Sequence, residues 1–204
     1  MSAIDLDEVL RATAEHLGLT IVALTAAFVI AMSMAVLLAW HERQRRAVVA
    51  VINVLQTIPS LALFGFLIPI PLIGGIGKRT AIVALSLYAM LPILRNALTG
   101  ILGIDAAVRE SAVALGMDRW QVLRQVELPL ATPTIVAGLR VATVATIGTA
   151  TVAAAIGGGG LGTFVFRGIA MAHAPTVLAG AVPAALMAIA ADEVLGWIER
   201  RLAR

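Results

Sequence analysis

The chain has 204 residues, of which 60% are hydrophobic and only 13% charged, with a formal net charge of +3. A soluble domain of this length cannot hide so much apolar surface, because a compact fold must carry polar groups over about half of its exterior. The lack of cysteine excludes disulfides, thiol chemistry and Cys-based metal sites together.

The first seventeen residues hold Asp5, Asp7, Glu8 and Glu15 against a single Arg11. That is not the basic start of a signal peptide, so the apolar segment that follows is expected to be retained. No Asp, Glu, Lys, Arg or His occurs in 17–40, 47–77 or 141–166. Each run exceeds the roughly 20 residues a helix needs to cross the hydrocarbon of a bilayer. Five spans are predicted, at about 18–40, 47–71, 80–100, 137–156 and 175–197. They are long apolar runs, not the short alternating segments of a barrel. The predicted fold is therefore an all-α integral membrane protein, with one transmembrane domain over 1–204.

The basic residues set its orientation. Arg43, Arg45, Arg46, Arg95, Arg109, Arg119, Arg124, Arg140, Arg200, Arg201 and Arg204 fall on one side, and only Arg11, Lys78, Arg79 and Arg167 on the other. The N-terminus is expected outside and the C-terminus inside, as five spans require. Arginines beside apolar spans point to anionic lipid and topology, not to nucleic acid.

Polar residues inside the spans are candidates for a solute pathway. Gln56, Thr57 and Ser60 surround Pro59, which kinks its helix and frees a carbonyl. Tyr88, the one tyrosine, and Asn96 lie in span three; Thr143, Thr146, Thr149 and Thr151 lie along span four. The competing reading for each is a hydrogen bond between helices. Asp192 and Glu193, late in span five, are expected to face water or pair with an arginine, and His173 in the outer loop has no assigned role. Trp40 and Trp197 read as interfacial anchors.

Two glycine-rich stretches imitate nucleotide loops. In "AAAIGGGGLG" the spacing of Gly157, Gly159 and Gly162 fits G-x-G-x-x-G, yet it follows a predicted membrane helix rather than a strand. No acidic residue follows until Asp192. "GGIGKRT" has Leu72 and Arg79 where a phosphate-binding loop requires Gly and Ser or Thr. Gly157, Gly158, Gly159 and Gly160 instead read as a tightly packed helix stop, or as a hinge at the outer mouth of a pathway.

The most polar stretch, "DAAVRESAVALGMDRWQVLRQVELPLATP", lies between spans three and four on the inner side. A first helix is predicted from Asp105 to a stop at Gly116. A second starts at once, with Asp118 as cap, Gln121 completing a capping box, and Met117 stapled to Val122. Leu128-Pro129 is expected to end it. Trp120, Leu123 and Val126 are free to pack, while Arg119, Arg124 and Glu127 are expected to stay polar. Such an elbow suits docking, the plainer reading being an amphipathic loop on the bilayer surface.

This loop resembles the EAA loop of membrane subunits in binding-protein-dependent ABC importers. Glu110, Ala112, Gly116, Leu128 and Pro129 match its pattern, and Ser111 departs from it, small for small. "QTIPSLALFGFLIPI", "ALSLYAMLPILRNALTGI" and "ATVATIGTATVAAAIGGGGLG" extend the resemblance to permeases of quaternary-amine osmoprotectant importers, over about 16–199. Lys78 and Arg79 depart from that pattern. The resemblance implies a type I importer permease in the bacterial inner membrane, with no catalytic residue and no cofactor or metal of its own. ATP and Mg²⁺ would belong to a cytoplasmic ABC ATPase that docks on the loop, with Glu110 and Gly116 its least tolerant positions. A second permease copy or paralogue and an extracytoplasmic substrate-binding protein are the other implied partners. The solute would be glycine betaine, choline or carnitine, or else another small solute such as an amino acid. One tyrosine and scattered tryptophans cannot build an aromatic cage for a quaternary ammonium, so affinity is expected in the binding protein. An ion-coupled carrier would want an acidic residue at mid-span, and a membrane enzyme a G-x-S-x-G or H-E-x-x-H motif; neither is found.

Overall fold

A computed structural model describes residues 5–203. Among them all regular structure is helical: α1 (Leu6–Leu38), α2 (Glu42–Thr57), α3 (Ser60–Leu67), α4 (Lys78–Leu102), α5 (Ala106–Ala114), α6 (Arg119–Val122), α7 (Leu128–Val152), α8 (Gly162–Ala170) and α9 (Ala174–Leu202). A π-helical turn, Leu123–Glu127, joins α6 to α7, and a 3₁₀ turn, Ala153–Ile156, closes α7. Four segments are long and apolar enough to cross a membrane: α1, α4, Arg119–Ile156 and α9. The pair α2–α3 makes a fifth if counted as one bent span.

Four features differ from the reading of the sequence. Helix α1 starts about three turns before the apolar run, because Asp5 caps it by accepting the Asp7 N–H at 3.0 Å and Asp7 and Glu8 occupy its first turn. The second apolar run is no single kinked helix; it breaks by 101° between Thr57 and Ser60. The second helix of the inner loop does not stop at Leu128-Pro129 but runs through the π turn into α7. Proline lacks an N–H and its ring crowds the preceding turn, and the wider π turn just before Pro129 gives that ring room. The outer segment after the glycines also forms a helix, α8, which the sequence reading left as loop.

Packing rests on small residues. Ala23, Ala27, Ala31 and Ala35 recur every fourth residue on α1, and each is wholly buried. This lets α1 lie close to α4, which in turn packs on α7, and α7 on α9. At the α4–α7 crossing a Cβ on Gly138 would stand 2.5 Å from the Asn96 Cβ and 2.8 Å from the Pro92 carbonyl oxygen, so only glycine fits. Arg140 of α7 forks onto Asp192 of α9 at 2.6 and 2.7 Å and reaches Glu199 at 3.4 Å. Asp192 thus has the arginine partner anticipated for it.

A polar groove, an inner elbow and a glycine turn

Five of the polar residues of the spans converge. Gln56 of α2, Tyr88 and Asn96 of α4, and Thr146 and Thr149 of α7 line one groove of about 440 Å³, floored by Leu91, Pro92, Val141 and Ala145. Arg95 closes the same groove. Its Nη2 donates to Asn53 Oδ1 at 2.7 Å. The sequence reading used Arg95 only for topology and missed it here, although "LPILRN" places Pro92, Arg95 and Asn96 at i, i+3 and i+4, one helical face.

Two prolines explain how the groove is built. Pro92 has no N–H, so the carbonyl of Tyr88, four residues earlier, loses its helical donor. Gln56 Nε2 supplies one from α2 at 2.9 Å. At the bend, Ile58 is extended, with φ −71° and ψ 126°, as a residue before proline prefers. Its freed carbonyl accepts the Tyr88 hydroxyl. The pair Gln56–Tyr88 therefore ties the α2–α3 break to the proline turn of α4, Gln56 satisfying the carbonyl that Pro92 orphans and Tyr88 the one that the break leaves outside the helix. Asn96 Nδ2 donates to the Pro92 carbonyl at 2.8 Å. Thr146 and Thr149 hydroxyls donate back to Ala142 and Ala145 within α7, at 2.7 and 2.9 Å.

Thr57, Pro59 and Ser60 do not line the groove; they form the bend above it, with Thr57 Oγ1 donating to the Val54 carbonyl at 2.7 Å. Thr143 is buried and faces α1 and α9 beside Thr20, Ile147 and Met187.

The four glycines lie elsewhere. Gly157, Gly159 and Gly160 take φ of +76°, +79° and +74°, conformations that L side chains rarely adopt. They are pinned from two sides. Gly77 N–H donates to the Ile156 carbonyl at 2.8 Å, and Gly160 N–H to Glu15 Oε2 at 3.3 Å. Glu15 also pairs with Lys78 at 2.9 Å. A Cβ on Gly158 would stand 2.7 Å from the Ala153 carbonyl oxygen. Beneath Gly160 lies His16, fully buried, with Nε2 on the Ile147 carbonyl at 3.0 Å; the sequence reading gave this residue no part. His173 sits at the N-cap of α9, its Nδ1 2.8 Å from Thr176 Oγ1.

The inner loop is the elbow its residues dictate. Asp105 caps α5 by accepting the Ala107 N–H at 2.9 Å. Gly116 turns the chain with φ +83°, where Met117 N–H reaches back to the Ala112 carbonyl at 3.2 Å. Asp118 accepts the Trp120 and Gln121 N–H groups at 2.8 and 2.9 Å, while Gln121 Oε1 accepts the Asp118 N–H at 2.8 Å, the reciprocal box the spacing called for. Met117 and Val122 line one cavity of about 500 Å³ under the elbow, with Trp40 and Arg119, whose guanidinium lies 5.6 Å from the Trp40 ring.

Glu127 corrects one expectation. It is buried, not polar and free, and accepts from Arg109 Nε at 2.5 Å. Arg109 also donates to the Ile101 carbonyl at 2.6 Å, so α5, α4 and the π turn are tied at one point. Leu123 is wholly buried, and Ala112 nearly so. Glu110, Ser111, Gly116, Asp118 and Pro129 are exposed, and Leu128 is half-buried. Around them Val113, Leu115 and Trp120 expose 61%, 84% and 54% of their surface, an apolar tip that no helix of this chain covers.

The chain matches the family described as binding-protein-dependent transport system inner membrane component over residues 19–204. It is 43% identical over 195 residues to the glycine betaine/carnitine/choline transport system permease protein OpuCB of Bacillus subtilis, covering 96% of this chain and 88% of that one. To the osmoprotectant import permease protein OsmW of Salmonella typhimurium it is 41% identical over 192 residues, covering 93% and 87%. Its fold superposes on a chain of the MetNI methionine ABC transporter, solved in inward-facing conformations, with a TM-score of 0.90, 26% identity and complete coverage of both chains.

Proposed function

Since the chain belongs to the binding-protein-dependent transport system inner membrane components, we propose a division of labour between its groove and its elbow. The chain is an inner-membrane permease subunit of an ABC importer. Its solute is a small quaternary-amine osmoprotectant, glycine betaine, carnitine or choline. Supporting this choice over an amino acid, identity to permeases so named is 43% and 41% along nearly the whole chain, against 26% for the methionine transporter.

The observation that carries the reading is the groove, where an amide, a phenol ring, a second amide and two threonines gather, with the guanidinium of Arg95, held by Asn53, as the one charged group among its lining residues. Hydroxyl and amide groups already bonded to the backbone offer a solute only weak, replaceable contacts. That suits passage rather than storage, and leaves tight selection to an extracytoplasmic binding protein. Two permease copies, or this chain and a paralogue, would face their grooves to each other across an approximate twofold axis. The chain enters from outside and ends inside, so the elbow stands in the cytoplasm. Its exposed rim of Glu110, Ser111, Gly116 and Asp118 docks into a separate ATPase that holds the ATP and Mg²⁺. Closure of two ATPases draws two elbows together. Through the continuous α6–α7 segment that motion reaches Thr146 and Thr149 and opens the groove outward, a mechanical bias on a two-state element.

The test is purification of the tagged chain from native membranes in mild detergent, beside Gly116→Trp. The φ of +83° at Gly116 strains any side chain placed there. An ATPase should accompany the wild type in equal amount and be lost from the variant. Uptake into vesicles loaded with ATP should then follow glycine betaine, carnitine or choline when the binding protein is supplied. A folded wild-type chain that arrives without an ATPase overturns the coupling role. Uptake of an amino acid but of none of the three amines overturns the solute.

A further inference from the structure

We propose that the inner end of the cleft between α2 and α4 binds the phosphate of an anionic phospholipid from the cytoplasmic leaflet. Arg45 and Arg46, in the first turns of α2, and Arg95, late in α4, line one cleft of about 400 Å³, although some fifty residues separate them along the chain. No acidic residue lines it. Arg95 spends one N–H on Asn53, Arg45 one on the Ala39 carbonyl at 3.2 Å, and Arg46 one on the exposed Glu42 at 2.5 Å. A guanidinium has five N–H donors, so most remain free, and one carboxylate stands against three cations. Three converging cations are costly to hold together unless an anion joins them.

The rest of the lining decides which anion. Val49, Ala50, Leu98 and Leu102 make an apolar strip beside the arginines. A soluble phosphate would satisfy the guanidiniums and leave that strip in water, whereas a phospholipid fills both parts, phosphate on the arginines and upper acyl chain on the strip. The cleft lies at the end of the bundle where the chain collects its arginines, the level of the inner headgroups. Arg95 also closes the solute groove, so a bound phosphate sits against the groove's inner mouth and holds Arg95 to the lipid side. The inference goes beyond the solute assignment. It needs only that this end of the bundle faces the cytoplasmic leaflet.

The experiment uses the importer assembled with its ATPase, purified in detergent and examined by native mass spectrometry after incubation with phosphatidylglycerol or phosphatidylcholine. Wild type should retain phosphatidylglycerol in preference to phosphatidylcholine, and the double variant R46K/R95K should do the same. R46Q/R95Q should lose that retention by roughly ten-fold or more, given the contribution of each surface arginine to anionic-lipid binding. Ala50→Trp, which fills the cleft and leaves its charge alone, should lose it as well, and separates occupancy from any folding defect of the glutamine variant. Equal retention by wild type, R46Q/R95Q and Ala50→Trp overturns the site. So does equal binding of the two lipids. Displacement of the lipid by excess inorganic phosphate would assign the cleft to a soluble anion, and a Val49→Cys cross-link between two copies would assign it to a second chain; either result overturns the lipid.

Discussion

Pro59 and Pro129 each follow an apolar residue at the end of a helical run, and the fold treats them in opposite ways. Before Pro59 the chain leaves the helix, Ile58 goes extended and the axis turns by 101°. Before Pro129, Leu128 stays helical at φ −63° and ψ −45°, and the chain runs on for six more turns. The difference lies in where the orphaned groups find partners. At Pro59 they are met from another helix, by Tyr88 on the Ile58 carbonyl. At Pro129 the segment makes room for the ring itself, because the π turn widens the ladder and Leu128 N–H donates to the Leu123 carbonyl, one residue further back than in an α turn. A proline therefore bends this protein where a neighbouring helix supplies hydrogen bonds to the bent form. Where a wider turn can absorb it, the chain continues straight, which keeps the elbow and the α7 span one mechanical piece.

The contrast can be broken at several points. The largest effect is expected at the α6–α7 junction from Glu127→Leu, which leaves Arg109 without its buried partner. The loss should be about 2–3 kcal/mol, somewhat below that of a fully buried pair because Arg109 keeps 31% exposure. Thermal unfolding in detergent reads it, and an unchanged midpoint would show that the pair does not hold the junction. The double change Gln56→Leu with Tyr88→Phe should cost about 1–2 kcal/mol, the range for two interhelical hydrogen bonds in a membrane. Transport should fall while ATPase copurification persists; full uptake would remove the α2–α4 tie from the mechanism. Pro59→Ala should cost about 0.4–1 kcal/mol through the freer unfolded chain, since φ −55° suits proline. A cysteine cross-link between α3 and α4 should then report a looser bend. Pro129→Ala should be the mildest, within about 0.5 kcal/mol, because alanine fits the same helical backbone and its restored N–H offsets the freer unfolded chain. A larger cost there would mean that proline itself, not the wide turn, sets the junction.

Much of the inner elbow was legible in the residues. Asp118 and Gln121 at the spacing of a capping box, and Gly116 at a helix end, specify local hydrogen bonds that need no distant partner. The glycine turn was half legible. Four glycines announce a backbone that no side chain may crowd, but not that Glu15 and His16 do the crowding. The groove was legible as a set of polar residues and not as a place. Gln56, Tyr88, Asn96, Thr146 and Thr149 were named one by one, whereas Thr57, Pro59, Ser60 and the glycines, named alongside them, lie outside it. Pro92, four residues after Tyr88, was the unused signal, since it announces a carbonyl in need of a donor.

Composition and spacing alone determined that this chain lives in a bilayer, that it spans it with helices, and that it carries a helical elbow on the side rich in arginine. These follow from transfer free energy and from hydrogen bonds between near neighbours, both of which depend on the order of residues along the chain. Tertiary structure decided the bend at Pro59, the passage through Pro129, the burial of Glu127 and the meeting of three arginines in one cleft. Each depends on what neighbouring turns and helices bring to the same place, and that is settled only when the helices pack.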